Sequence, residues 1–252
     1  MIDWGGRGLF LAAALLLAAA GLLALLPGLG APGAWSPGGP DAPEPPLADF
    51  LFLWIAGAAA LILSLRSSGP AKPAWAALCF PRLGPALLAC AAWLALTEWT
   101  GSLLVGLLLL TGVRVLLGPA STRFIAARPP VPDAAYKLAE AGIGLIVGAV
   151  SLSVAVLMPP IIRQIGNLGP SDAPWLSFWV FIAFVVLQAI HFRRTAGRNP
   201  WFLFAMGWGA AATIHHNWTV SGLNIIAIMT GLVTLILLPR VTRGPKHPKP
   251  AA

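Results

Sequence analysis

Residues 98–113 read EWTGSLLVGLLLLTGV, and residues 217–232 read NWTVSGLNIIAIMTGL. Laid over each other at an offset of 119, the two windows agree at six of sixteen positions, including Trp99 with Trp218, Thr100 with Thr219, and Thr111-Gly112 with Thr230-Gly231. An alphabet so restricted to Leu, Ala and Gly would give about two identities by composition alone. A polar break carrying Trp, set before an apolar run, therefore occurs twice, and this recurrence organises the rest of the chain.

Around these windows the chain is overwhelmingly apolar. Of its 252 residues, 58% are hydrophobic and 10% charged, and the mean hydropathy is +0.83; a soluble globular domain carries about 25% charged residues. Hydrophobic runs fall at 8–27, 49–65, 83–97, 101–117, 138–158, 175–192, 200–214 and 219–238. Eight apolar segments, broken by Pro, Gly and charged residues, predict an all-α polytopic membrane helix bundle, because a helix satisfies its backbone within the segment that crosses hydrocarbon. The first run has the flanks of a secretory signal, with Arg7 before it and Ala31-Pro32-Gly33-Ala34 after it. It is longer than a signal core of about 7–15 residues, and reads as a retained first helix.

Charge placement gives the orientation. With a cytoplasmic N-terminus, fifteen of the sixteen Lys and Arg fall in inside segments, Arg82, Arg114 and Arg123 among them, and only Arg163 lies outside. The positive-inside rule then puts both termini in the cytoplasm. A pI near 10.8 reflects this topology and contact with the anionic lipid bilayer, with no nucleic acid as partner. Residues 241–252 read as a disordered cytoplasmic tail. Cys79 and Cys90 imply no disulfide framework.

The chain divides into two four-segment membrane repeats, 1–128 and 129–240. Each has a long first segment, a Pro/Gly-rich outside loop, a second helix, a basic inside loop and two shorter arms. Gly39-Pro40-Asp41-Ala42-Pro43 is echoed by Gly169-Pro170-Ser171-Asp172-Ala173-Pro174. An even number of segments per unit makes the repeats parallel, related by an axis along the membrane normal. The arms 83–96 and 201–214 hold fourteen residues each and reach about 21 Å, against a hydrocarbon core of about 30 Å. Each short helical hairpin therefore either extends into its polar flanks or dips in and returns.

Glu98 and the run His215-His216-Asn217 occupy corresponding tips, which makes them candidate substrate- or ion-binding residues, since an ionisable group at membrane depth is costly. Against this, polar residues and Trp are ordinary at a water interface, and adjacent helical histidines point about 100° apart, a poor geometry for one metal ion. Arg163, the sole outside cation, is a further candidate for an anionic substrate or a charged partner, although a loop arginine is commonly just solvated. His191 as a haem ligand lacks a facing histidine at its depth. Glu140 reads as a helix N-terminal charge or a partner of Lys137, and Gly142, Gly144 and Gly148 with Ser151 and Ser153 read as one close-packing face. No nucleotide loop, zinc-protease helix or Ser-His-acid set is present, so the sequence predicts no catalytic residue, no metal, no cofactor and no enzyme.

The unit as a whole, with Gly39-Pro40 and the stretch 94–104 (LALTEWTGSLL), resembles the small membrane subunit of tripartite tricarboxylate transporters, here in duplicate. The resemblance implies a non-catalytic inner-membrane subunit of a solute transporter, carboxylates being the implied solutes. Its partners would be a larger membrane transport subunit and a periplasmic solute-binding protein. The alternatives are a self-contained channel or transporter with its site at the hairpin tips and, behind it, a membrane metal or haem enzyme.

Overall fold

The computed structural model describes residues 4–24, 47–67, 74–100, 103–169, 172–173, 175–196, 199–219 and 223–242. Among these residues the chain forms eight α-helices and no strand: α1 (Trp4–Ala24), α2 (Leu47–Ser67), α3 (Ala74–Thr100), α4 (Leu103–Ala126), α5 (Ala134–Ile165), α6 (Trp175–Ala196), α7 (Pro200–Thr219) and α8 (Ile225–Thr242). The tail from 243 onward lies outside the described residues.

The helices start where the sequence supplies caps. Asp133 accepts the Tyr136 amide at 2.6 Å ahead of α5, Asn224 accepts the Ala227 amide at 3.2 Å ahead of α8, and Asn199 accepts the Trp201 amide at 2.9 Å with Pro200 as the first helical residue of α7. Each side chain satisfies a donor that the first turn leaves open, and Pro at the first position loses no intrahelical bond. Proline also occurs inside helices, at Pro81 and Pro85 in α3 and at Pro159 and Pro160 in α5.

The short hairpin arms expected from hydropathy are full-length helices. α3 has 27 residues and α4 has 24, so they run about 40 and 36 Å, and α7, with 20 residues, about 30 Å. Hydropathy marked only their apolar middles. The helical hydrogen-bond ladder continues into the polar flanks, so that Thr97 to Thr100 end α3 and His215 to Thr219 end α7. Among the described residues two helices are both long and apolar enough to cross a membrane, at Leu104–Ala126 and Ala134–Ile165. The apolar stretches of α1, α2, α3, α6 and α8 are shorter, so the structure carries eight helices but not eight clear membrane-length apolar ones.

Packing runs through α5. α1 lies on α2 and α3, and α3 on α4; likewise α5 lies on α6 and α7, and α7 on α8. The two sets meet where α5 packs on α2 and α4, and where α4 touches α6. The glycines show why the approach is so close. A methyl at Gly142 would stand 2.8 Å from the Gly57 carbonyl oxygen, and one at Gly144 would stand 2.6 Å from the Asn199 side chain. The three glycines of α5 therefore do not form one face: Gly142 turns to α2, while Gly144 and Gly148 turn to α7, as expected for positions two residues, or about 200°, apart.

These contacts also fix directions. Gly57 and Leu61 meet Ile146 and Gly142 in reverse order, so α2 and α5 are antiparallel; Gly144, Gly148 and Leu152 meet Trp201, Ala205 and Gly209 in the same order, so α5 and α7 are parallel. Gly84 packs beside Leu9 and Phe10, where α3 meets α1. Arg66, near the end of α2, and Lys137, in the first turn of α5, therefore share one end of the bundle; Arg123 joins them through its neighbour Phe124, which stacks on Tyr136, Arg82 and His191 line one cleft with Arg123, and Arg163 lies at the other end. At the basic end Phe124 and Tyr136 stack with centroids 4.4 Å apart across the α4–α5 connection. Glu140 meets Arg128 at 3.8 Å there, rather than the Lys137 that its spacing suggests.

The interior holds Trp54, Trp93, Phe10, Phe181 and Phe202, all essentially sealed. The outward surface is just as apolar. Leu108 is 73% exposed, Val115 66% and Trp179 63%, and α1, α2, α7 and α8 add Leu16, Phe52, Phe204 and Ile236. On α5 the one large exposed hydrophobic among the described residues is Ile165, at its very end.

Candidate functional site

The last turn of α7 brings His215, His216 and Asn217 together, but with different surroundings. His215 is exposed and His216 half-buried. Asn217 is fully buried, and its side-chain amide donates to the Thr213 carbonyl at 2.8 Å. Its own carbonyl accepts the Asn224 amide at 3.0 Å, which fastens the end of α7 to the start of α8. Asn217 thus does turn-closing work. Glu98 belongs to the last turn of α3, and its side chain lies outside the described residues. Among the described residues no three His, Cys, Asp or Glu side chains gather in a way that could hold a metal ion.

Arg163 is not a solvated loop residue. It is 8% exposed, with Nε donating to Ser177 Oγ at 3.0 Å, Nη1 to the carbonyls of Gly169 and Asp172 at 2.8 and 2.9 Å, and Nη2 to the Ala173 carbonyl at 3.1 Å. Loop carbonyls need donors once they are buried, and the five-donor fork of one guanidinium serves three of them together. The loop it holds contains Asn167 and Ala173 at φ 49° and 48°, conformations that cost side-chain-bearing residues energy unless their surroundings hold them. This arginine ties α5 to α6 and has most of its donors committed.

The largest chemical concentration lies at the opposite end. A cleft of about 530 Å³ opens between α3, α4 and α6, lined by Arg82, Arg114, Arg123, His191, Thr111, Thr122, Val115, Gly118 and Pro119. Thr111, Val115, Gly118 and Thr122 fall at i, i+4, i+7 and i+11, one stripe of α4, with Arg114 and Arg123 flanking it on either side. From Thr111 to Arg123 the stripe rises about 18 Å. The threonine hydroxyls are already used as donors, Thr111 to the Leu107 carbonyl at 2.9 Å and Thr122 to the Gly118 carbonyl at 3.0 Å. The cationic groups on the cleft wall are the guanidinium groups of Arg82, Arg114 and Arg123. Among the described residues no Asp or Glu lines it.

The sequence reading did not find this cleft. The charge rule places Arg114 among the inside cations; in the structure it is the twelfth of the 24 residues of α4, midway along the stretch 104–126 that is long and apolar enough to cross a membrane. The available signal was the stripe of two Thr and one Gly at helical spacing beside Arg114, which an average of hydropathy conceals. No protein-family model, curated protein or solved structure compared with the chain matches it.

Proposed function

We propose that this chain is an integral inner-membrane protein of a solute-transport system, a non-catalytic subunit built from two copies of a four-helix unit and oriented with both termini in the cytoplasm. The observation that carries the reading is the arrangement of apolar surface. α5 is wrapped by its neighbours, its most apolar stretch 83% buried, whereas that of α4 is 39% buried, and the outward faces of the other helices present large hydrophobic side chains. Water penalises such a surface at about 25 cal/mol per Å², whereas hydrocarbon does not.

Duplication is supported by the recurrence of one packing scheme, first on second, first on third and third on fourth helix, in α1–α4 and again in α5–α8. An accessory role is supported by the exposed aromatic ladder of Trp201, Phe204, Trp208 and Phe52, whose neighbouring rings stand 6.0, 5.9 and 6.3 Å apart. Aromatic side chains favour protein interfaces, and this ladder offers a rigid one to a larger transport subunit. A second reading, a transporter acting by itself, gains from Arg114, because an ionisable residue in mid-span ordinarily marks a solute path.

Gentle purification of the tagged chain from its native membrane, with identification of what accompanies it, tests the proposal. Recovery of a large polytopic subunit or a periplasmic binding protein supports the accessory role. Recovery of the chain alone, as a defined monomer or homo-oligomer, overturns it in favour of the self-contained reading.

A further inference from the structure

We infer that the cleft between α3, α4 and α6 is a binding site for an organic phosphate, with Arg82, Arg114 and Arg123 holding its charged oxygens and its carbon body lying on Val115, Gly118 and Pro119.

Three observations carry this. First, three guanidinium groups and His191 line one cleft that no described carboxylate enters. Arg114 is half-buried, with Arg82 and Arg123 exposed nearer the mouth; like charges lining one cleft repel one another and an anion relieves the repulsion, and guanidinium is the cation best matched to the paired oxygens of phosphate or carboxylate. Second, Gly118 lies on the stripe facing the cleft, and a methyl placed there would meet no atom within 4 Å. The position is thus open space beside the charges, whereas Gly142, Gly144 and Gly148 are filled by neighbouring helices. Third, about 530 Å³ falls within the range of small-molecule sites, roughly 300–1,000 Å³, and far exceeds what one inorganic ion fills. The ligand therefore brings an apolar or neutral body with its negative charge.

The same chemistry, a phosphate ester on a carbon skeleton, can come from two sources. An anionic phospholipid of the inner leaflet would slide its headgroup in from the side, and a soluble organic phosphate would enter from the cytoplasm. Only the lipid source rests on the membrane placement proposed above; sedimentation of the chain with membranes after alkaline carbonate extraction tests that placement separately.

The test uses the full-length chain, delipidated in a neutral maltoside detergent. Native mass spectrometry follows binding of dioleoylphosphatidylglycerol against dioleoylphosphatidylcholine, and a thermal-shift titration follows glycerol 3-phosphate. Substitutions R123Q, at an exposed position, and G118L, whose Cβ would meet no atom within 4 Å and whose longer side chain reaches into the cleft, accompany R114Q, so that one unstable variant does not decide the matter; R66Q, at the same end but outside the cleft, is the control. The expected result is preference for phosphatidylglycerol or a shift with glycerol 3-phosphate, weakened about tenfold or more by G118L and R123Q and unchanged by R66Q. The first alone identifies the headgroup source, and the second the soluble one. No binding of either probe, or binding that G118L and R123Q leave unaltered, overturns the inference.

Discussion

Gly148 of α5 and Ala205 of α7 face each other so closely that a methyl group at 148 would collide with the Ala205 Cβ and would also crowd the Phe202 carbonyl oxygen at 3.3 Å. Neither neighbour is the far end of a flexible side chain, so accommodating a larger residue means parting two parallel helices. Gly118 is its opposite, a glycine with nothing within 4 Å of its absent side chain. Gly148→Leu is therefore expected to destabilise the bundle by about 3 kcal/mol or more through overpacking, whereas Gly118→Ala gains up to about 1 kcal/mol from helix propensity alone. Thermal unfolding of the two purified variants in one detergent checks this, and equal melting temperatures would contradict the packing described.

Asn199 does two things at once. It caps α7 by accepting from the Trp201 amide, and its side-chain amide donates to the Glu140 carbonyl at 2.8 Å, joining the starts of α5 and α7. Asn199→Ala should cost about 1–3 kcal/mol, the sum of a lost cap and a lost partner for the Glu140 carbonyl. Asn199→Asp keeps the cap and loses only the donor, so its melting temperature should lie between alanine and wild type.

Arg163→Gln should loosen the loop between α5 and α6 without touching the basic end. Three carbonyls and Ser177 lose their donor, a change worth about 2–4 kcal/mol when the acceptors stay buried. Limited proteolysis should then cut near residues 166–173 in the variant and not in wild type. Arg163→Lys should restore little, because a point charge with three donors cannot span the same set. Full protease resistance together with lost solute uptake would instead return Arg163 to the role of a substrate contact.

At the tips, His215→Ala should leave the unfolding free energy within about 0.5 kcal/mol of wild type, as surface substitutions do, and leave solute uptake unchanged. Asn217→Ala should cost about 1–2 kcal/mol, since its buried amide bonds to Thr213 within a turn that fastens α7 to α8. A solute site at this tip requires instead that His215→Ala abolish uptake while stability stays unchanged.

What could be read from the sequence divides along physical lines. The apolar runs and the Pro, Gly and charged breaks between them are local, so helices and their order follow from them. Helix length does not, because Thr97-Glu98-Trp99-Thr100 is polar yet continues α3, and hydropathy is blind to a backbone ladder that goes on beyond the apolar core. The pairing of Gly142 with Gly57, and of Gly148 with Ala205, depends on which helices become neighbours, and nothing in a spacing pattern along α5 names the partner. The same holds for the cleft, whose three arginines come from two helices and whose histidine comes from a third.

The proposed orientation can be checked at two positions on opposite ends. Asn167, in the loop held by Arg163, and Arg128, beside Glu140, are both exposed. Cys90 is fully buried, which protects its thiol from aqueous reagents, and Cys79→Ser removes the other native thiol. In that background Asn167→Cys should react with a membrane-impermeant maleimide on intact cells with the outer barrier opened, and Arg128→Cys should react only after the inner membrane is broken. Both residues flank α5, so one helix carries the signal from one side to the other. Labelling of Arg128→Cys first would invert the topology and place the cleft, with its arginines, on the outer face; labelling of both in intact cells would mean that α5 does not cross at all.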